Sequence, residues 1–63
     1  MKFVRFKSIK SGDDFSLNVS LIKNFYPKKF SNGSTYTLIK LIDDKEFLVF
    51  ETFDQVFDLV NRQ

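Results

Sequence analysis

The stretch 45–53, KEFLVFETF, constrains the fold most, because four consecutive apolar side chains occupy positions 47–50. Successive side chains of a β-strand point to opposite faces of the sheet, so a strand here is apolar on both faces. The chain has only 63 residues, and a domain of this size buries only about 60% of the surface exposed by the unfolded chain. The sequence therefore raises the question of what covers the second face.

The residue types missing from the chain exclude several kinds of site. There is no Cys and no His, so disulfides, thiolate metal sites and the commonest general base are all absent. The paired carboxylates at 13–14 and 43–44 lie in predicted turns, where Asp usually serves the backbone. Gly12 and Gly33 form no phosphate-binding loop. We therefore predict a non-enzymatic protein with no cofactor, no metal and no small-molecule substrate.

The distribution of apolar residues along the chain bears on domain number and location. No stretch approaches the about 20 apolar residues of a membrane span, and charges interrupt the apolar residues of the first ten positions, unlike in a secretory signal. No linker, repeat or low-complexity segment divides the sequence. We expect a single domain over residues 1–63, cytoplasmic and without a membrane span.

Turn residues divide the first fifty positions into five predicted strands, at 3–9, 15–19, 21–26, 34–42 and 46–50. Asn32-Gly33 predicts a hairpin with a type I′ turn, because that turn needs positive φ at both central residues. Asp43-Asp44 predicts a second hairpin turn. Pro27 has no backbone N–H, which favours an edge strand. Asn18 offers a side-chain oxygen that can cap a single turn after the second strand.

The C-terminal segment has the pattern of an amphipathic helix. Thr52 and Gln55 have the spacing of a capping box, and Asp58 with Arg62 has the spacing of an ion pair on one helix face. A helical stripe of apolar residues follows the cap, at Phe53, Val56, Phe57 and Val60. The predicted fold is α+β, in the order β-β-β-β-β-α, with an antiparallel five-stranded sheet or half-barrel and one C-terminal helix packed on one face.

A helix this short covers one face of two or three strands, so we expect the other face of the sheet to stay apolar and to form an interface. The alternative is that the sheet curls and the N-terminal hairpin closes over it. The interface hypothesis makes the chain a protein-interaction or regulatory module, most simply a homodimer, or a module that docks on another protein. The residues expected to form the interface are the alternate side chains on one face of the last two strands. We select Tyr36, Leu38, Phe47 and Val49, and the residues of opposite parity are the alternative.

Charge distribution supports a second hypothesis, a nucleic-acid-binding regulator. Residues 1–40 carry eight basic and two acidic side chains, a net charge of +6, whereas 41–63 carry two basic and six acidic ones, a net charge of −4. Aromatic and basic side chains together suit stacking on bases and neutralisation of phosphates. The candidates on the predicted strands are Arg5, Lys7, Tyr26, Lys28 and Lys29.

Two segments also carry a family resemblance. Residues 12–22, GDDFSLNVSLI, resemble the G-x-x-F-x-L-N-x-x-L-I opening of the small swarming-motility proteins encoded in flagellar operons. Residues 37–56, TLIKLIDDKEFLVFETFDQV, are similar to the T-x-I-x-L-x-N-G-K-x-x-x-V-x-E-S-x-x-E-V ending of that family. Asp43-Asp44 stands in place of Asn-Gly, Thr52 in place of Ser, and several extra residues occupy 24–34. The resemblance implies a short β-rich protein with a C-terminal helix, tied to motility and without enzymatic activity.

Overall fold

The computed structural model describes residues 2–62, and its elements confirm the predicted α+β class with one C-terminal helix. No helix among these residues is long and apolar enough to cross a membrane. A 3-10 turn at Val19–Leu21 separates the second and third strands. The strands are β1 Phe3–Lys7, β2 Asp14–Asn18, β3 Ile22–Lys29, β4 Thr35–Leu41 and β5 Glu46–Val49, and the helix α1 spans Phe53–Asn61.

The strands form two antiparallel sheets, a β1–β2 hairpin and a β3–β4–β5 meander. The sheets meet at a single bridge between Ser8 and Val49, where the Phe50 N–H donates to the Lys7 carbonyl and the Ile9 N–H to the Leu48 carbonyl, both at 3.0 Å. The prediction of a single five-stranded sheet is wrong. The ladder does not continue past Phe50, because the Lys7 N–H, the next donor towards β5, donates to the Glu51 carboxylate at 3.1 Å instead of to the Phe50 carbonyl.

The inner face of the meander forms the core. Ile39, Leu41 and Val49 project from it and are buried against residues of the hairpin and the helix, namely Val4, Phe6, Leu17 and Val56. The hairpin and the helix thus cover the same face of the meander. The hairpin and the helix therefore cover only one of the two apolar faces of the 47–50 stretch. Val49 is fully buried, whereas Phe50, its neighbour in sequence, is 45% exposed.

The two turns of the meander have the same construction. In the first, the Gly33 N–H donates to the Phe30 carbonyl at 3.0 Å, and the Phe30 N–H donates to the Ser34 carbonyl at 2.8 Å. Among the non-glycine residues in 2–62 only Asp44, in the second turn, has a positive φ. The type I′ prediction for Asn32-Gly33 is therefore wrong, because each loop has three residues and only the last of them is left-handed.

Edge and cap predictions are largely confirmed. Pro27 lies in β3, an edge strand of the meander, and the Asn18 side chain accepts the Ser20 N–H at the start of the 3-10 turn. At the helix start, Thr52 Oγ1 accepts the Gln55 N–H at 3.1 Å, and Gln55 Oε1 accepts the Thr52 N–H at 2.9 Å. This reciprocal pair is the predicted capping box.

The apolar stripe of α1 differs from the predicted one at a single position. Val56 is fully buried, but Phe57 is 54% exposed, and Leu59 packs on the core in its place. The predicted ion pair between Arg62 and Asp58 is present at 2.8 Å. Only one side of a short helix can contact the sheet. Here that side is centred on Val56, so Phe57 lies outside the contact.

Candidate binding face

The outer face is our name for the face of the meander that points away from the core. The strand register places side chains from β3, β4 and β5 on it. Directly opposed residues of antiparallel strands share a face, and the register pairs Leu38 with both Tyr26 and Leu48. Alternation along each strand then gives the rest of the face, namely Asn24 and Lys28 of β3, Tyr36 and Lys40 of β4, and Glu46 of β5 with Phe50 just beyond it.

One line of side chains across the outer face combines rings and positive charges. Tyr36 lies opposite Lys28 on β3, and the β4–β5 register continues from Thr37–Val49 to set it opposite Phe50. The hydrogen bonds beside the Ser8–Val49 bridge then set Phe50 opposite Lys7. We call Lys7, Phe50, Tyr36 and Lys28 the ring row. It crosses three strand spacings, about 14 Å.

The aromatic side chains of the ring row are in contact with each other; Phe50 is exposed and Tyr36 is half-buried. The rings of Tyr36 and Phe50 lie edge to face, with centroids 5.7 Å apart, and Phe30 flanks Tyr36 at 5.3 Å. Phe50 and the nearby Tyr26 are both close to half exposed. Exposed rings packed in this way keep flat apolar surface available without being free to collapse into the core.

The lysines at the two ends of the ring row form no ion pair with residues 2–62. The four ion pairs in this part of the chain involve four different basic residues, Lys23, Lys40, Lys45 and Arg62. Asp14 lies opposite Lys7 in the hairpin register, but their charged groups are more than 4 Å apart. Both lysines are exposed, so the ring row presents two positive charges that no ion pair neutralises.

A second line, which we call the apolar row, runs beside the first and consists of Ile9, Leu48, Leu38 and Tyr26. Leu38 is only 8% exposed. Next to it, an open concavity of about 830 Å³ lies between the outer face and the loop that follows β1. Its apolar lining comes from Ile9, Leu38, Phe47 and Leu48, and its polar lining from Ser8, Lys10, Ser11 and Glu46.

The four predicted interface residues do not share a face. Tyr36 and Leu38 lie on the outer face, whereas Val49 is fully buried on the inner one and the ring of Phe47 packs at 5.2 Å against Phe15. Because Leu38 pairs directly with Leu48, the residues in and just after β5 that accompany Tyr36 and Leu38 have the opposite parity to those we selected. They are Leu48 and Phe50.

The predicted nucleic-acid residues are brought closer together. Lys7, Tyr26 and Lys28 all lie on the outer face, although the sequence separates the first from the others by about 20 positions. Arg5 projects to the same side of β1, two residues before Lys7, and Lys29 is exposed at the end of β3 with the opposite parity.

Sequence reasoning selected Tyr36 for a protein interface but did not place it, or Phe50, between the basic positions. Tyr36 and Phe50 fill the space between Lys7 and Lys28, and Phe30 supports Tyr36. The position of Tyr36 beside Lys28 depends on the length of the Phe30–Ser34 turn, and the position of Phe50 beside Lys7 depends on the bridge between the two sheets. Neither the length of this turn nor the bridge between the sheets can be read from the sequence pattern.

Comparison of the chain with protein-family models, with curated proteins and with solved structures gave no match. The resemblance to the swarming-motility proteins therefore stays a prediction. Within residues 2–62, no three carboxylates are grouped so that they could hold a metal ion. The outer face is therefore the feature of the chain that bears on its function.

Proposed function

We propose that this chain is a small non-enzymatic module that binds single-stranded nucleic acid on its outer face. The observation that carries the proposal is the ring row, in which the rings of Tyr36 and Phe50 lie between the charges of Lys7 and Lys28. A regulatory role in the cytoplasm is consistent with this activity and belongs to the same proposal.

The ring row has both parts that sequence-tolerant binding of a single strand requires. Every base has a flat π-face that stacks on an aromatic side chain, at about 1–3 kcal/mol per base as measured by alanine substitution. Lysines beside the rings attract the phosphates and displace condensed counterions. Stacking needs base faces that are already open, so the rings favour a single strand over a duplex.

Self-association through the outer face is the second candidate, and the apolar row supports it. A two-fold symmetric pair, however, brings each surface patch against its own copy. Two outer faces in contact would bring lysines of one ring row close to lysines of the other. The nearby carboxylates, Asp14 opposite Lys7 and Glu51 bound to the Lys7 N–H at 3.1 Å, lie at one end of the row and leave Lys28 without a counter-charge. Like charges in a desolvated contact are unfavourable, so the ring row favours a polyanion over a second copy.

Fluorescence anisotropy with a labelled oligothymidylate of about eight nucleotides, within the usual site size for such binding, tests the proposal. We expect binding at low salt, with a log–log salt slope of about −1.4 for two phosphate contacts, and steeper if Arg5 or Lys29 takes part. Lys7→Gln with Lys28→Gln should remove about 1.4 from that slope. The matched control is Lys23→Gln with Lys45→Gln, which removes the same charge at the Asp43–Asp44 turn.

A ring substitution completes the same experiment. Phe50→Ala should weaken binding about tenfold through lost stacking, whereas Phe57→Ala, which removes a similarly exposed ring from the helix, should leave it unchanged. Absence of binding at low salt contradicts the proposal. Equal losses from the two ring variants, or from the two lysine pairs, contradict the assignment of the outer face.

A further inference from the structure

The concavity beside the ring row has a composition that the ring row itself lacks. Its lining is mostly apolar, from Ile9, Leu38, Phe47 and Leu48. It also includes a carboxylate and an ammonium from different elements, Glu46 on β5 and Lys10 on the loop after β1. Leu48 belongs to the apolar row and is two positions from Phe50, so the concavity is continuous with the surface on which a strand would stack.

We propose that this concavity binds one guanine base of the bound strand, with Glu46 as the residue that recognises it. This inference rests on the proposed function, because the strand on the ring row delivers the base. The occupant follows from shape and charge: an apolar recess accepts a flat heterocycle, and its opposite charges match a base edge that has both donors and acceptors.

Guanine fits the charged groups better than the other bases. An ionised carboxylate only accepts hydrogen bonds, and its two oxygens suit two parallel donors. The N1–H and the N2 amino group of guanine are adjacent donors on one edge, whereas adenine and cytosine offer one amino group and thymine one imino N–H. Lys10 can donate to O6 or N7, which are both acceptors.

The carboxylate of Glu46 is available for this contact. Its one ion pair within residues 2–62 is with Lys40, at 4.0 Å, and both side chains are substantially exposed. Such a pair contributes little stability in water. A base edge can therefore take the place of Lys40 without leaving a buried charge unpaired.

The test measures base preference with the full chain. Anisotropy compares an oligothymidylate with the same strand carrying one central guanine, or one central inosine, which lacks the N2 amino group. We expect the guanine strand to bind about tenfold more tightly than the thymine strand, within the range for a bidentate contact to a base. Inosine should lose most of that preference. Glu46→Gln should bring the guanine and thymine strands close to equal affinity, whereas Asp54→Asn, an exposed carboxylate on the helix, should leave the preference intact.

A second arm separates the pocket from the strand. Guanosine monophosphate alone is titrated into isotope-labelled protein, with the amides of Lys10 and Leu48 followed by NMR. Shifts there in the wild type and not in Glu46→Gln support the base site even if no oligonucleotide binds, in which case the proposed function fails and the site stands. Oligonucleotide binding without any guanine preference, or with a preference that Glu46→Gln leaves unchanged, overturns the inference and leaves the proposed function in place.

Discussion

Neighbouring residues of the 47–50 stretch have different environments, and the difference arises from pairing rather than from their own chemistry. Val49 is fully buried and Phe50 is 45% exposed, yet both are apolar. Four apolar residues in succession contain no alternation, so they cannot fix their own parity. β4 fixes it, because Leu38 lies directly opposite Leu48. For this reason Val49 of the predicted interface set lies inside the core, and Phe47, of the same parity, packs partly buried against it.

Asp44 carries the backbone strain of the second meander turn, at φ 69°. A side chain in the left-handed region is disfavoured, and Gly has no such penalty. We expect Asp44→Gly to raise the free energy of unfolding by about 0.5–1 kcal/mol, as measured by urea denaturation. The substitution also removes the exposed ion pair with Lys23 at 3.6 Å, which contributes little.

Gly33→Ala supplies the converse measurement in the equivalent turn. Gly33 has φ 88°, and a Cβ added there would meet no atom within 4 Å, so only the backbone conformation is tested. We expect a loss of about 1 kcal/mol or more. A stability loss in Asp44→Gly, together with no effect in Gly33→Ala, would show that left-handed geometry does not limit these turns.

Among the elements, the helix was the most predictable and the turns the least. The capping box is a local signal, since Thr52 and Gln55 are three residues apart and satisfy each other's backbone. Turn type depends on where pairing resumes, and Asn32-Gly33 is compatible with either a two-residue or a three-residue loop. Periodicity predicts Phe57 in the buried stripe because it shows which residues share an arc of the helix but not where that arc is centred.

One buried hydroxyl adds a hydrogen bond to the packing that attaches α1 to the meander. Thr37 is fully buried on β4, and its Oγ1 donates to the Glu51 carbonyl at 2.8 Å, just before the helix. Thr37→Val keeps the shape and the strand preference but removes the donor. We expect a loss of about 1–2 kcal/mol in the free energy of unfolding, because a partly buried carbonyl loses its partner.

The control for that substitution is Thr35→Val, which makes the same change at an exposed position of the same strand. It should alter stability by less than about 0.5 kcal/mol. If Thr37→Val is as stable as the wild type, the carbonyl of Glu51 finds water instead, and the hydroxyl does not hold the helix in place.

For the whole molecule, the sequence predicts the class and the order of elements but not how the two sheets join. The Ser8–Val49 bridge is set by packing of Val4 and Phe6 against the inner face, a long-range contact with no local signature. The candidate site depends on that bridge, since it brings Lys7 to the row that contains Lys28. Two clusters that look separate in the sequence thereby become one surface.

The charges of the ring row lead to an expectation about self-association. The wild-type chain should remain monomeric in sedimentation equilibrium at high micromolar concentration, because pairing of outer faces would bring unpaired lysines together. Lys7→Gln with Lys28→Gln should associate measurably through the apolar surface that remains, whereas Lys23→Gln with Lys45→Gln should stay monomeric.

The double variant of the ring row thus links two measurements, because it should lose nucleic-acid binding and gain self-association. A variant that merely unfolds would lose binding without forming a defined dimer, and circular dichroism distinguishes that case. A wild-type chain that already dimerises at low micromolar concentration would mean that these lysines do not prevent contact between outer faces. Self-association would then become the better account of the outer face, and a nucleic acid would have to compete with the dimer for it.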